Sequence, residues 1–252
     1  MAPIQKVNLI FFLITLSTTA DAEKFVFSAI DKLPDQAVGI IVITEIYRQI
    51  GHDLNVLLMP GLRAQQSANS GAVNGEVMRI FAYGEQTPNV VRVPTSFYSV
   101  KTVAYKLKGN DINVQTKEDL IHYKSVIVRG VRHTEKITRA IDRQNVHFTD
   151  SPEAMMRFIQ AGRAQLALTN PLEGMLLVKN FGFTDLELIG PTLAYEPLYH
   201  YVHKDHVELV PLINQKLQEL KASGELDILV RKSEAEVISN WSNKIKPVKV
   251  QD

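Results

Sequence analysis

The chain alternates, twice over, between apolar runs of strand length and amphipathic stretches of helical length. This order constrains its fold more than any other feature. The first round predicts a strand at 24–29, a helix at 35–50, a strand at 54–59, a helix at 62–68 and a strand at 73–81. The helix at 35–50 starts after Pro34 and stops at Gly51. Strand, helix, strand in this order implies parallel strands joined by right-handed crossovers. The second round predicts a strand at 125–129, a helix at 134–143, a strand at 146–149, a helix at 151–161, a strand at 165–169 and a helix at 171–179. Ser151 and Pro152 supply the N-cap and first-position chemistry that favours a helix start there. Between and after the rounds, 91–94, 98–107, 186–189 and 194–203 read as extended segments. The segment from 207 to 241 is mainly helical, with expected breaks near Gly224 and Ser233.

Two such units joined by extended crossings predict an α/β fold of two lobes with a cleft between them. Each lobe is a mostly parallel sheet flanked by helices. Lobe one is expected from 23–104 with 201–245, lobe two from 105–200, and a short tail at 246–252. Ligands of open α/β sheets sit beyond the carboxyl ends of the strands. Candidate residues are therefore sought there.

The first 22 residues predict export. Lys6 opens a short basic start, Val7 to Leu16 is apolar apart from Asn8 and Thr15, and Ala20-Asp21-Ala22 has the small-x-small form of a signal-peptidase site. The apolar run falls short of the roughly 20 residues of a permanent span. No later stretch reads as a membrane span. The chain has a formal net charge of +1 and no cysteine. A near-neutral balance argues against nucleic-acid binding and against a polybasic membrane anchor. Lack of cysteine excludes disulfides, a thiol nucleophile and a lipidated cysteine behind the leader. The expectation is a freely diffusing periplasmic monomer that needs no cofactor.

Four segments carry a resemblance to a known family: Ile46 to His52 closing the first helix, Ala68 to Gly75 entering the third strand, Val126 to Gly130, and Ala161 to Asn170. In this order and on these elements, the chain resembles the bacterial extracellular solute-binding proteins, in particular the polar amino-acid receptors of ABC importers, which are type II periplasmic binding proteins. The resemblance runs from about Lys24 to Trp241. It implies a small-molecule ligand, a cleft that closes about a hinge near 98–106 and 191–201, and a partner that reads the closed form, either an ABC permease or a membrane sensor domain. The family's zwitterion clamp is altered, however. Its Thr-Pro-Glu-Arg segment is replaced by Tyr83-Gly84-Glu85-Gln86-Thr87-Pro88-Asn89, its Asp after the later strand by Asn170, and a Gly by Arg79.

The candidate binding residues follow from these positions. Arg79, at the end of the third strand, has the forked donors that grip a carboxylate or phosphate. Arg63 opens the second helix. Arg129 and Gly130 lead into His133 and Thr134, a helix start whose free N–H groups suit an anion. Asn170 stands before Pro171, as a ligand contact or as an N-cap. Tyr83 and Tyr47 offer rings for stacking. His200, His203 and His206 alternate wrongly for a shared metal, because strand positions three apart face opposite ways. The primary expectation is a binding module that is not an enzyme and that takes a small polar, anionic ligand. The alternatives are a periplasmic lyase or dehydratase using Glu85, Glu173 or His133, and a protein that has lost its ligand and serves as an interaction surface. None of the common catalytic motifs is present.

Overall fold

A computed structural model describes residues 24–244. The expected leader at 1–22 and the tail at 246–252 lie outside the described residues. The first round of elements runs β1 (Lys24–Ile30), α1 (Pro34–Gln49), β2 (Asp53–Met59), α2 (Gly61–Asn69) and β3 (Gly75–Ile80). A 3-10 turn at Phe81–Gln86 leads to β4 (Val90–Arg92) and the long strand β5 (Tyr98–Leu107). The second round is β6 (Ser125–Val128), α3 (Arg132–Thr138), β7 (Val146–Thr149), α4 (Pro152–Gln160), β8 (Leu166–Thr169) and α5 (Pro171–Phe181). An 18-residue strand, β9 (Leu186–His203), then precedes α6 (Leu209–Ser223) and α7 (Glu225–Lys244).

One nine-stranded sheet runs in the order β2-β1-β3-β9-β5-β8-β6-β7, with β4 beside β9. β1 pairs in parallel with β2 and β3, and β6 in parallel with β7 and β8. Between these two parallel blocks stand β9 and β5, antiparallel to each other and to their neighbours. The two parallel blocks are therefore connected through a pair of long antiparallel strands.

Side-chain alternation explains the packing. Along the second block, Val103 and Tyr105, Val126 and Val128, and Ala167 face one core. Ala104, Ile127, Leu166 and Leu168 face the opposite one. A strand covered on both faces reads as a continuous apolar run, which is what these segments show in sequence. Around the first block, Phe25, Phe27, Val77 and Met78 of the strands meet Val42, Ile43 and Ile46 of α1 and Ile213 and Leu217 of α6. Each such fully buried side chain contributes about 1.5–3 kcal/mol. Leu172 and Leu176 of α5 join this first core, so α5 packs against both blocks.

Local chemistry sets the element ends. Pro34 starts α1, and the Gln36 side chain accepts from Ile30 N and donates to Met78 O, tying the helix start to β1 and β3. Ser151 caps α4 by accepting from Ala154 N at 3.2 Å. At Gly75, φ is +145° and a Cβ would lie 2.0 Å from the Tyr201 carbonyl oxygen, so only glycine lets β3 approach β9 there.

Three expectations are corrected. The helix expected at 134–143 ends at Thr138, whose hydroxyl donates back to Thr134 O at 2.8 Å. Such back-bonding by β-branched residues suits a short helix end better than an interior. The extended segments 186–189 and 194–203 are one strand. The register of β9 against β5 jumps from Ile189 to Ala194 opposite Ala104 and Thr102, so a bulge at 190–193 joins them. Ser233 does not break α7: it is buried, and its hydroxyl donates to Leu229 O at 2.9 Å within the helix. The expected break at Gly224 stands between α6 and α7, with φ +78°.

Candidate ligand-binding site

The carboxyl end of β3 holds a cluster of polar side chains. The pairing of β3 with β9 shifts register between Glu76 and Arg79. Residues three apart on a regular strand face opposite ways, but a bulge re-aims one of them. Glu76 pairs with Tyr201 and Arg79 with Tyr199, and both tyrosines lie on one face of β9. Glu76 and Arg79 therefore share that face and meet as an ion pair.

Glu76 is almost wholly buried and its carboxylate accepts from Arg79 Nε, from Arg79 Nη2 at 3.3 Å and from the Tyr83 hydroxyl. Arg79 Nη2 also donates to Gly61 O at 2.7 Å, linking β3 to the start of α2. The Arg79 guanidinium sits 5.0 Å from the Tyr83 ring centroid. Tyr83 in turn packs edge-to-face on Tyr201 at 4.9 Å. Burial pushes the Glu76 carboxyl up, and the Arg79 charge opposes it. Burial, reinforced by Glu76, pushes the Tyr83 hydroxyl up, so Tyr83 stays a neutral donor. Arg79 was expected to face a ligand; most of its donors are instead spent inside the chain.

Arg92, on β4, flanks the same cluster from the other side of β9, opposite Tyr201. Its guanidinium carbon lies 3.5 Å from the Phe81 ring centroid and 5.0 Å from that of Tyr199. Its Nε is buried without a hydrogen-bond partner. Burial pushes the Tyr201 hydroxyl up, while the nearby Arg92 acts against that shift. Arg63 lies exposed on α2, two residues past Gly61.

The candidates of the second block are spread out. Arg129 is exposed, its Nε 3.4 Å from Asp150 Oδ1 and its guanidinium 5.3 Å from the Phe148 ring. At the start of α3, Gly130 N donates to Glu135 Oε1 at 2.7 Å, and the buried Thr134 donates its hydroxyl to Val131 O at 2.9 Å. A carboxylate of the chain itself reaches back to this helix start, as in a capping box. His133 Nδ1 lies 2.7 Å from the Thr102 hydroxyl, and burial lowers its pKa to about 4, so the ring is neutral. His133 and Thr102 line a cavity of about 890 Å³ beside Lys136, Tyr195 and Glu196.

Asn170 caps α5, accepting from Glu173 N at 2.7 Å. It also lines a second cavity, of about 610 Å³, with Asp35, Tyr98, Tyr195, Arg231 and Glu234. There the Tyr98 hydroxyl lies 3.1 Å from Asp35 Oδ1 and 3.0 Å from Glu234 Oε1. The single Tyr98 hydroxyl thus stands between two carboxyl groups. Asp35 is pushed up to about 7, chiefly by burial, with the Tyr98 hydrogen bond opposing and Glu173 and Glu234 adding to the rise.

Among the described residues no hydrogen bond, ion pair or ring contact joins the Arg79 cluster to Arg129, His133 or Asn170. The structure brings Arg79 and Tyr83 together and leaves the other sequence candidates at separate places. Tyr47 is not a stacking residue: it is fully buried, with its hydroxyl 3.1 Å from His200 Nε2. His203 and His206 contact Asp205 and Asn74 respectively. Sequence reasoning missed Glu76, Arg92, Asp35 and Glu234. For Arg92, the alternating Tyr199 and Tyr201 were a legible sign of an aromatic face; for Glu76, no local pattern announces a bulge.

No protein-family model matches the chain. An uncharacterized protein of Shewanella oneidensis is 27% identical over 189 residues, spanning 73% of this chain and 71% of that protein. Three solved structures are similar in fold. A mutant of ArgBP from T. maritima superposes with a TM-score of 0.61 at 20% identity, covering 84% of this chain and 95% of that one. A histidine kinase sensor domain with similarity to periplasmic binding proteins gives 0.64 at 17%, covering 84% and 95%. The GluR0 ligand-binding core in complex with L-glutamate gives 0.66 at 13%, covering 85% and 98%. Two parallel blocks joined through long antiparallel strands, matched over nearly the full length of these neighbours, give this chain the two-lobed fold of periplasmic binding proteins.

Proposed function

We propose that the protein is a solute-binding protein working in the periplasm after loss of its leader. It captures a small polar, anionic or carboxylate-bearing ligand between two lobes, 23–104 with 201–245 and 105–200. The observation that carries this reading is the sheet itself. Both lobe boundaries fall within β5 and β9, and their mutual register breaks at the 190–193 bulge. A strand pair interrupted there suits a hinge, because hinges are short stretches that absorb backbone change.

The candidate ligand groups on the first lobe are Arg79, Tyr83 and Arg63, and those on the second are Arg129, His133, Thr134 and Asn170. Neighbours of the same fold are described as bound to arginine, glutamine or L-glutamate; this supports a ligand of that size here. The closed form is read by an ABC permease or by a membrane sensor. The protein acts as a monomer and by binding rather than by turnover.

A thermal-shift screen of amino acids, short peptides, organic acids and sugars tests the reading. A ligand at 100 times its Kd adds about 2.7 kcal/mol of stability. For a chain of this size, that raises the Tm by roughly 5–10 °C. No shift from any compound, with the protein folded, refutes it. Consumption of a compound identifies an enzyme instead.

A further inference from the structure

We infer that Arg92, rather than Arg79, is the anion-gripping group of the first lobe, and that its ligand carries a carboxylate or a phosphate. The inference rests on the cleft reading above and deepens it. The two arginines flank β9, at its Tyr199 and Tyr201, on one face of the sheet. Their electrostatic positions differ sharply. Arg79 is neutralised by the buried Glu76, and its Nη2 is tied to Gly61 O. Arg92 has no carboxylate within ion-pair distance among the described residues. Side chains of similar shelter do have one: Arg79 pairs with Glu76, and Lys106 with Glu187.

A half-buried guanidinium without a counter-charge, whose Nε lacks an acceptor, is costly to keep. An anionic ligand would supply the missing counter-charge and offset part of that cost. The rings of Phe81 and Tyr199 hold the guanidinium plane in place beforehand. A guanidinium stacked on rings keeps its edge for two-pronged binding of a carboxylate or phosphate. Phe81 is itself half-exposed beside it and offers an apolar surface to the rest of the ligand. The location fits as well. β4 follows directly on the turn that leaves the carboxyl end of β3, where ligands of open α/β sheets bind, and it precedes the crossing strand β5.

The test is calorimetric titration of the protein with sodium L-glutamate, citrate and inorganic phosphate. Binding of glutamate or citrate assigns a carboxylate, and binding of phosphate a phosphoryl group. Arg92→Gln should weaken the bound anion about ten- to hundredfold, the loss of a charge-assisted contact. Arg92→Lys should fall between the two proteins. If Arg92→Gln fails to fold, phenylglyoxal labelling of the wild-type protein replaces it: the bound anion should protect Arg92, as read by peptide mass spectrometry. An unchanged affinity in folded Arg92→Gln, or an Arg92 labelled equally with and without the anion, assigns Arg92 to bracing the turn and overturns the inference. It leaves the cleft reading intact. Failure of all three anions to bind also overturns it, while a neutral compound that raises the Tm would still support the cleft.

Discussion

Asp35 offers a measurable consequence of the way this chain buries charge. It stands in the first turn of α1, where a helix dipole favours the ionised form. Burial between β5, α5 and α7 wins, and the pKa rises from 3.8 to about 7. The groups facing it are Tyr98 and Glu234, which share the hydrogen-bonded chain, and Glu173, with Lys101, Lys221, Asp227 and Arg231 lining the same cavity. A carboxyl whose folded value lies above its unfolded one favours folding while it is protonated in both states. That advantage is lost as pH rises through the folded value. The gap of about three pH units corresponds to about 4 kcal/mol at face value. Asp35→Asn keeps an acceptor for the Tyr98 hydroxyl and carries no charge. The variant should match wild type near about pH 4 and exceed it by up to about 4 kcal/mol near about pH 8.

The assay is urea unfolding of both proteins across that range, read as the difference in stability at equal m-value. The difference matters because the wild-type curve alone mixes opposing signs. His200 and His133 are both held near about 4 by burial, first of all by desolvation. Their contribution is present above their unfolded value of 6.5 and is lost as pH falls towards 4. In the same window it runs against that of Asp35. A difference that stays flat with pH, or a variant less stable than wild type near about pH 8, would refute the reasoning. It would mean that Asp35 is an ionised helix-start residue favoured by the dipole.

Two further outcomes test the site's construction. Glu76→Gln removes the only carboxylate paired with Arg79 among the described residues and leaves a sheltered cation, which should cost about 3–5 kcal/mol in urea unfolding; a loss within experimental error means that the pair contributes little. Asn170→Ala removes the N-cap of α5, so stability should fall by about 1 kcal/mol, and an unchanged unfolding midpoint would mean that the cap contributes little.

The second α/β round was legible because β6 and β8 are buried on both faces, and continuous apolar runs such as Val126-Ile127-Val128 announce this. Helix starts at Pro34, Pro152 and Pro171 were legible for a local reason, since proline and a capping residue act within one turn. The candidate site was less legible because its chemistry depends on pairings distant in sequence. Arg79 was correctly placed at the end of β3, yet its partner was invisible: a bulge of one extra residue turns Glu76 onto the same face. Once Glu76 neutralises Arg79, the first lobe's remaining half-buried cation beside β9 is one that reading by motif passed over as part of an extended crossing. The same bulge therefore explains why Arg79 is paired within the chain. A strand without it would turn Arg79 away from Glu76 and leave Glu76 buried without a counter-charge.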